Sequence, residues 1–218
     1  MPKFNLLSSI ARPKRSITER KDSKTQDHIN ISRKYGREYF DGPREYGYGG
    51  YKYDGRWINV AKDIIKHFKL IKGQKVLDVG CAKGFLVKDL FDLGIDAVGI
   101  DISDYAIKNS MSDIKNRIFK ASADNLPFKD DFFDAVISIN TIHNLERERC
   151  KKSIEEMQRV SKNKKNLFIQ VDSYNNEKQK KIFESWVLTA KFYGYPSEWL
   201  ELFKECNYDG DYFWTVIE

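Results

Sequence analysis

The chain predicts an α/β fold, a doubly wound and mostly parallel sheet with helices on both faces. Three observations carry that expectation. Short apolar runs alternate with amphipathic stretches from residue 57 to the end. Small and polar residues gather just after each apolar run, as in "LDVG", "GIDIS", "ISIN" and "IQVDS". A tight turn of small residues, Gly80-Cys81-Ala82-Lys83-Gly84, joins the first run to a helical pattern. Strands buried on both faces read as short continuous apolar runs, and parallel neighbours need helical crossovers.

Each element follows from its own pattern. Trp57, Val60, Ala61, Ile64, Ile65 and Phe68 recur at helical spacing, with Asp54 placed to cap the start and Lys72-Gly73 past the end. Strands are expected at 75–80, 97–101, 117–121, 133–140 and 166–172, with a last one at 212–217. Helices are expected at 84–92, 104–110, 146–160, 177–192 and 196–206. Cys150, Ile154, Met157 and Val160 share the buried face of the third, and Ile182, Phe183, Trp186, Val187 and Ala190 form one face of a helical insert after strand five. Residues 35–57, "YGREYFDGPREYGYGGYKYDGRW", fit neither period. Glycine permits tight turns and tyrosine offers a flat ring with a polar tip, so this stretch reads as a lid over a ligand or as a loop pinned to the core.

Bulk properties narrow the class. The 218 residues suit one domain with an appendage. No apolar run approaches the roughly 20 residues of a membrane span, and the first residues lack the pattern of a secretory signal. Cys81, Cys150 and Cys206 are odd in number and show no metal-binding spacing, which points to a reducing cytoplasm and no metal. Residues 1–40 hold ten Lys/Arg against four acids, which leaves 28 of each for the remainder, so the whole excess of +6 sits on the head. Residues 1–34 are therefore read as a basic N-terminal arm and 35–218 as the domain. Such an arm suits a nucleic acid or another anionic partner; a solvated, mobile leader is the plainer reading.

In doubly wound sheets ligands bind at the carboxyl ends of the strands. Asp101 ends strand two, 21 residues after Gly80, where an acid can accept hydrogen bonds from a ribose hydroxyl pair. The turn, however, lacks the G-x-G-x-x-G spacing of a dinucleotide site, since Ala82 stands at the second glycine. A methyl there is tolerable where no phosphate touches the backbone, as for an adenosine with an amino-acid tail.

Together "VLDVGCAKG", "VGIDIS", "SADNLPFKDDFFDAVIS" and "NTIHNL" resemble the class I S-adenosylmethionine-dependent methyltransferases, in particular the broad small-molecule group. The resemblance runs from about Trp57 to Val171 and implies a Rossmann-like fold with S-adenosyl-L-methionine as cofactor and S-adenosyl-L-homocysteine as product. Ala82 departs from the usual glycine, and one strand follows the last helix where the family has a hairpin of two. By this resemblance Asp78, Gly80, Cys81, Ala82 and Gly84 shape the pocket for the methionine part. Asp101 binds the ribose, Ile102 lies against adenine, and Asp124, with Ala123 and Asn125, meets the adenine edge. Asn140 sits beside the sulfonium.

The nucleophile is narrowed by what is missing. No Asn/Asp-Pro-Pro-aromatic motif follows strand four, no Pro-Cys pair exists, and acids do not cluster there. Metal-independent O-, N- or C-methylation of a small polar metabolite remains. A hydroxyl acceptor benefits from a base; His143, just past strand four, is the first candidate, with a structural role as the alternative, and Asp172, ending strand five, is the second. Tyr46, Tyr48, Tyr53, Trp57 and Tyr193 are the candidate acceptor-contacting residues, with Lys191, Phe192 and Tyr195 at the same mouth. An rRNA, tRNA or protein methyltransferase using the basic arm, and a non-catalytic binding module, are the alternatives.

Overall fold

A computed structural model of the chain describes residues 3–10 and 23–216. Six strands, β1 (Lys75–Val79), β2 (Asp96–Asp101), β3 (Ile118–Lys120), β4 (Ala135–Ile139), β5 (Leu167–Ser173) and β6 (Asp211–Val216), lie where the apolar runs predict. They form one all-parallel sheet in the order β3-β2-β1-β4-β5-β6. The order reverses between β1 and β4, so the crevice of the fold opens above those two strands.

Helices cover both faces: α1 (Gln26–Ser32), α2 (Arg37–Asp41), α3 (Trp57–His67), α4 (Phe85–Asp92), α5 (Asp104–Lys108), α6 (Arg147–Val160), α7 (Glu177–Trp186) and α8 (Pro196–Glu205). Strand side chains alternate between the two layers. Leu77, Val79, Val136 and Ile169 pack on one side with Cys150, Ile154 and Met157 of α6 and Trp199 and Phe203 of α8. Val76, Ala135, Ile137 and Phe168 pack on the other with Val60 and Ile64 of α3 and Leu86 and Leu90 of α4. No helix of the described residues is long and apolar enough to cross a membrane.

Three regions differ from the expectation. Lys3 bridges Tyr212 in parallel, and the Phe4 amide donates to the Tyr212 carbonyl at 2.9 Å. The start of the expected arm thus lies along the outer edge of β6, a row of backbone groups that an open sheet must satisfy or shield. Leu6 is fully buried with Val60, Ala61 and Ile64. His67 stacks on Phe4 with ring centroids 4.1 Å apart and pairs with Asp211.

The second difference is the insert. The helix expected at 177–192 stops at Trp186, and residues 187–195 run irregularly. Lys24 donates to the carbonyls of Glu184 and Val187, and Arg33 reaches the Ala190 carbonyl at 3.3 Å. Those carbonyls find their partners on the N-terminal segment rather than in a continuing helix. The third is residues 35–57, which contain α2 and a short 3-10 turn, Arg44–Tyr46, besides the expected loop. Of residues 1–34, 1–2 and 11–22 lie outside the described residues.

Candidate active site

The turn after β1 is built by backbone geometry. Gly80, Ala82 and Gly84 all have left-handed φ, at 85°, 52° and 76°. A Cβ at Gly80 would lie 2.1 Å from Thr141, and one at Gly84 2.6 Å from Ile114, so both glycines are required. The Gly80 and Cys81 amides donate to the Ile100 carbonyl at 2.8 and 2.9 Å, tying the turn to β2. The Ala82 amide donates to Asp101 at 2.8 Å, and so does the Ser103 amide. One oxygen of Asp101 thus holds the turn, the other holds the start of α5, and each keeps a second lone pair.

Two acids dominate the electrostatics, Asp78 buried and Asp101 partly so. Burial, reinforced by Asp101, raises the Asp78 carboxyl to about 7. Burial also raises Asp101, against the backbone donors that favour its ionised form. Neither makes a salt bridge among the described residues. A ligand bringing an ammonium, a sulfonium and hydroxyl donors would supply the positive charge and donors that this pair lacks, and S-adenosylmethionine has all three. The residues therefore fit that group: Asp78 would face its ammonium and Asp101 its ribose, with Ile102 half exposed beside them.

A cavity of about 690 Å³ opens above β1, β4, β5 and β6. Of the expected cofactor residues, Asp78, Gly80, Cys81, Ala82 and Asn140 line it. Gly84, Asp101, Ile102, Ala123, Asp124 and Asn125 lie outside its walls, toward β2 and β3. Tyrosines of residues 35–51 close over that side. Phe40 packs with Ala82 and Ala106, Ser103 donates to the Tyr35 carbonyl at 2.6 Å, and Tyr105 donates to Asp41 at 2.8 Å. Asp124 is engaged elsewhere, its carboxylate held by Arg149 at 2.6 and 3.0 Å. That pair outweighs burial and keeps Asp124 down at about 2.

His143 is not presented to the cavity. Its Nδ1 accepts the Asp172 amide at 3.2 Å, so the neutral ring carries its proton on Nε2, 3.8 Å from the Asp172 carboxylate. The lone pair a base would use is therefore occupied. Burial lowers the His143 pKa, with Asp172 opposing, and neither residue lines the cavity. The insert is the reason: the amides of Lys191 and Phe192 donate to the His143 carbonyl and bring residues 187–195 over it. Neither His143 nor Asp172, the first and second candidate bases, thus stands in the cavity wall.

Of the candidate acceptor contacts, Tyr48 and Trp57 line the cavity and Tyr46, Tyr53 and Tyr193 do not. Tyr46 sits edge-on to His28, Tyr53 donates to Asp89, and Tyr193 packs with Tyr174 and Phe183. Lys191 pairs with Glu146, Tyr195 with Glu177, and Phe192 packs on Trp199, so the insert does not make the mouth. The cavity is walled instead by Asn5, Leu7 and Ile10 from the head, by Gln170 of β5 and by Phe213–Val216 of β6. Sequence reasoning also passed over Lys83, whose Nζ is held by Asp41 at 2.6 and 2.7 Å and by the Tyr51 carbonyl at 2.8 Å. A lysine inside a turn of small residues was the available signal.

Residues 77–169 match the family model of a methyltransferase domain. The sheet order and the β1 turn agree with that match and support a class I methyltransferase domain over those residues. Among curated relatives, a tRNA (carboxymethyluridine(34)-5-O)-methyltransferase of Arabidopsis thaliana is 35% identical over 150 residues, 66% of this chain and 34% of that one. An uncharacterised protein of Methanocaldococcus jannaschii is 32% identical over 131 residues, 59% of this chain and 54% of that one. The chain thus spans between about a third and about a half of the curated relatives it matches. Among solved structures, the complex of the Haloferax volcanii Trm112 methyltransferase activator with a methyltransferase shares the fold at 22% identity. Its TM-score is 0.53 over 67% of this chain and 65% of that one.

Proposed function

We propose that the chain binds S-adenosylmethionine across the ends of β1 and β2 and methylates a small polar metabolite held in the cavity toward β4, β5 and β6. Bound there, the cofactor supplies a methyl carbon activated by positive sulfur. The chain's own residues orient the acceptor and exclude water, the main tasks in such a displacement. Asp101 fixes the ribose and the turn together, Asp78 complements the ammonium, and Asn140 stands at the junction with the acceptor cavity. No base is assigned to His143.

The observation that carries this reading is the pair of acids at the ends of adjacent strands, Asp78 buried and Asp101 partly so, with no salt-bridge partner among the described residues. Its test is the pH dependence of S-adenosylhomocysteine binding by calorimetry. Asp78 is neutral in the free fold below about pH 7 and ionises in an unfolded chain near 4, so its burial opposes folding increasingly as pH rises through that window. An ammonium relieves that cost, so affinity is expected to rise with pH through about 7. Asp78→Asn removes this dependence, and Asp101→Ala abolishes measurable binding by deleting charge-assisted bonds worth about 1.5–3 kcal/mol each. Full affinity in both variants overturns the reading.

A second reading, an RNA acceptor, draws on the similarity to a tRNA methyltransferase and on the basic residues of the head. Methyl transfer to an RNA transcript, falling steeply with salt, would favour it.

A further inference from the structure

The floor of the acceptor cavity is a chain of neutral polar groups from three neighbouring strand ends. Gln170 Nε2 donates to Thr215 Oγ1 at 2.9 Å, and that hydroxyl donates to Asn140 Oδ1 at 3.2 Å. The direction of the chain fixes what is left over. Gln170 is only 5% exposed and its Oε1 has no donor among the described residues. Asn140 Nδ2 has no acceptor in the same network, so an unmet donor and a buried, unmet carbonyl stand in one chain of side chains lining the cavity. A buried carbonyl without a donor is costly unless what fills the site supplies one.

The charged lining residues are Lys52, Asp54, Arg56 and Asp78. Asp54 and Arg56 pair with each other at the rim, Lys52 is exposed there, and Asp78 belongs to the cofactor side. Of the two cations among the described lining residues, Arg56 is paired with Asp54 and Lys52 is exposed. The walls are flat and aromatic at Tyr48, Trp57 and Trp214. Such rings cover apolar C–H faces while polar groups fix orientation.

Resting on the function proposed above, we infer that Gln170, Thr215 and Asn140 form the acceptor-recognition floor and take a neutral, polyhydroxylated ring of the hexopyranose kind. A hydroxyl is both donor and acceptor, so one can give its proton to Gln170 Oε1 while it or its neighbour accepts from Asn140 Nδ2. The apolar face of the ring then lies against the aromatic wall.

Saturation-transfer NMR on the full chain, with S-adenosylhomocysteine present, tests this using methyl α-D-glucopyranoside, methyl α-D-mannopyranoside and methyl β-D-galactopyranoside, with uridine as the competing probe. Ring-proton saturation of at least one pyranoside is expected above that of uridine. Thr215→Val, which keeps shape and removes the hydroxyl, should weaken it at least tenfold, and Thr215→Ser should restore it. Gln170→Leu should act like Thr215→Val, with S-adenosylhomocysteine affinity unchanged in all three variants. Uridine binding above every pyranoside, or native pyranoside affinity in Thr215→Val, overturns the inference and leaves the cofactor reading intact. Loss of S-adenosylhomocysteine binding in the wild type, with pyranoside binding kept, overturns the cofactor reading instead.

Discussion

The two halves of the proposed site are built in opposite ways. The cofactor half is local: within 24 residues, 78–101, the chain makes the strand end, the left-handed turn, the helix start and the ribose acid. The acceptor half is assembled from Asn5, Tyr48, Trp57, Gln170 and Thr215, which span almost the whole chain. A local device keeps its spacing in sequence and can be recognised as a pattern. A dispersed one exists only after the sheet order is known. The contrast predicts that substitutions in the two halves will separate, one set changing cofactor binding and the other acceptor binding.

The sharpest way to break that separation is at Lys83, where the halves meet. Its ammonium, in the β1 turn, is buried against Asp41 of the tyrosine-rich segment. Removing one partner of a buried pair leaves an uncompensated charge and costs about 3–5 kcal/mol. Lys83→Met should lower stability by that order in urea unfolding, and Lys83→Met with Asp41→Leu should recover much of it. Equal losses in the single and double variants would show that the latch is not energetically coupled.

The next effect sharpens the assignment of His143 to neither half. His143→Ala strips a buried amide of its acceptor and should cost about 1–3 kcal/mol. The folded variant should keep the shape of the wild-type pH–rate profile, because the ring does not take the acceptor's proton. Loss of an acid limb in a stable variant would restore it as a base.

The smallest effect lies inside the cofactor half. Ala82 holds φ at 52°, a conformation that costs a residue with a Cβ about 1–2 kcal/mol. Part of that returns as backbone entropy in a glycine, so Ala82→Gly should stabilise by about 0.5–1 kcal/mol in thermal unfolding. A destabilised variant would mean that the methyl's packing against Phe40 outweighs the strain.

These differences explain what was legible. The six strands, the β1 turn and Asp101 could be read because period and spacing survive in one dimension. His143 reads as a pocket-edge residue in the sequence because its position just past β4 lies toward the crevice. Only the contact of residues 191 and 192 with its carbonyl shows that it is roofed over. Lys24 and Arg33 counted as free charge in the sequence, yet both cap carbonyls more than 150 residues away. Gln170 and Thr215 looked like ordinary strand residues until β5 and β6 were seen to be neighbours.

The seating of Phe4 on Tyr212 also orders events during synthesis. The β1 turn and Asp101, the proposed cofactor anchor, leave the ribosome before β4, β5 and β6 and can fold against one another once β1 and β2 pair. The cavity cannot close until β6 is released, because its far wall is the head of the chain lying on that strand. For the time it takes to translate the intervening residues, Leu6 has no completed core to enter and the unpaired edge of β5 is open. A nascent chain would then hold the cofactor's anchor before it holds any place for an acceptor.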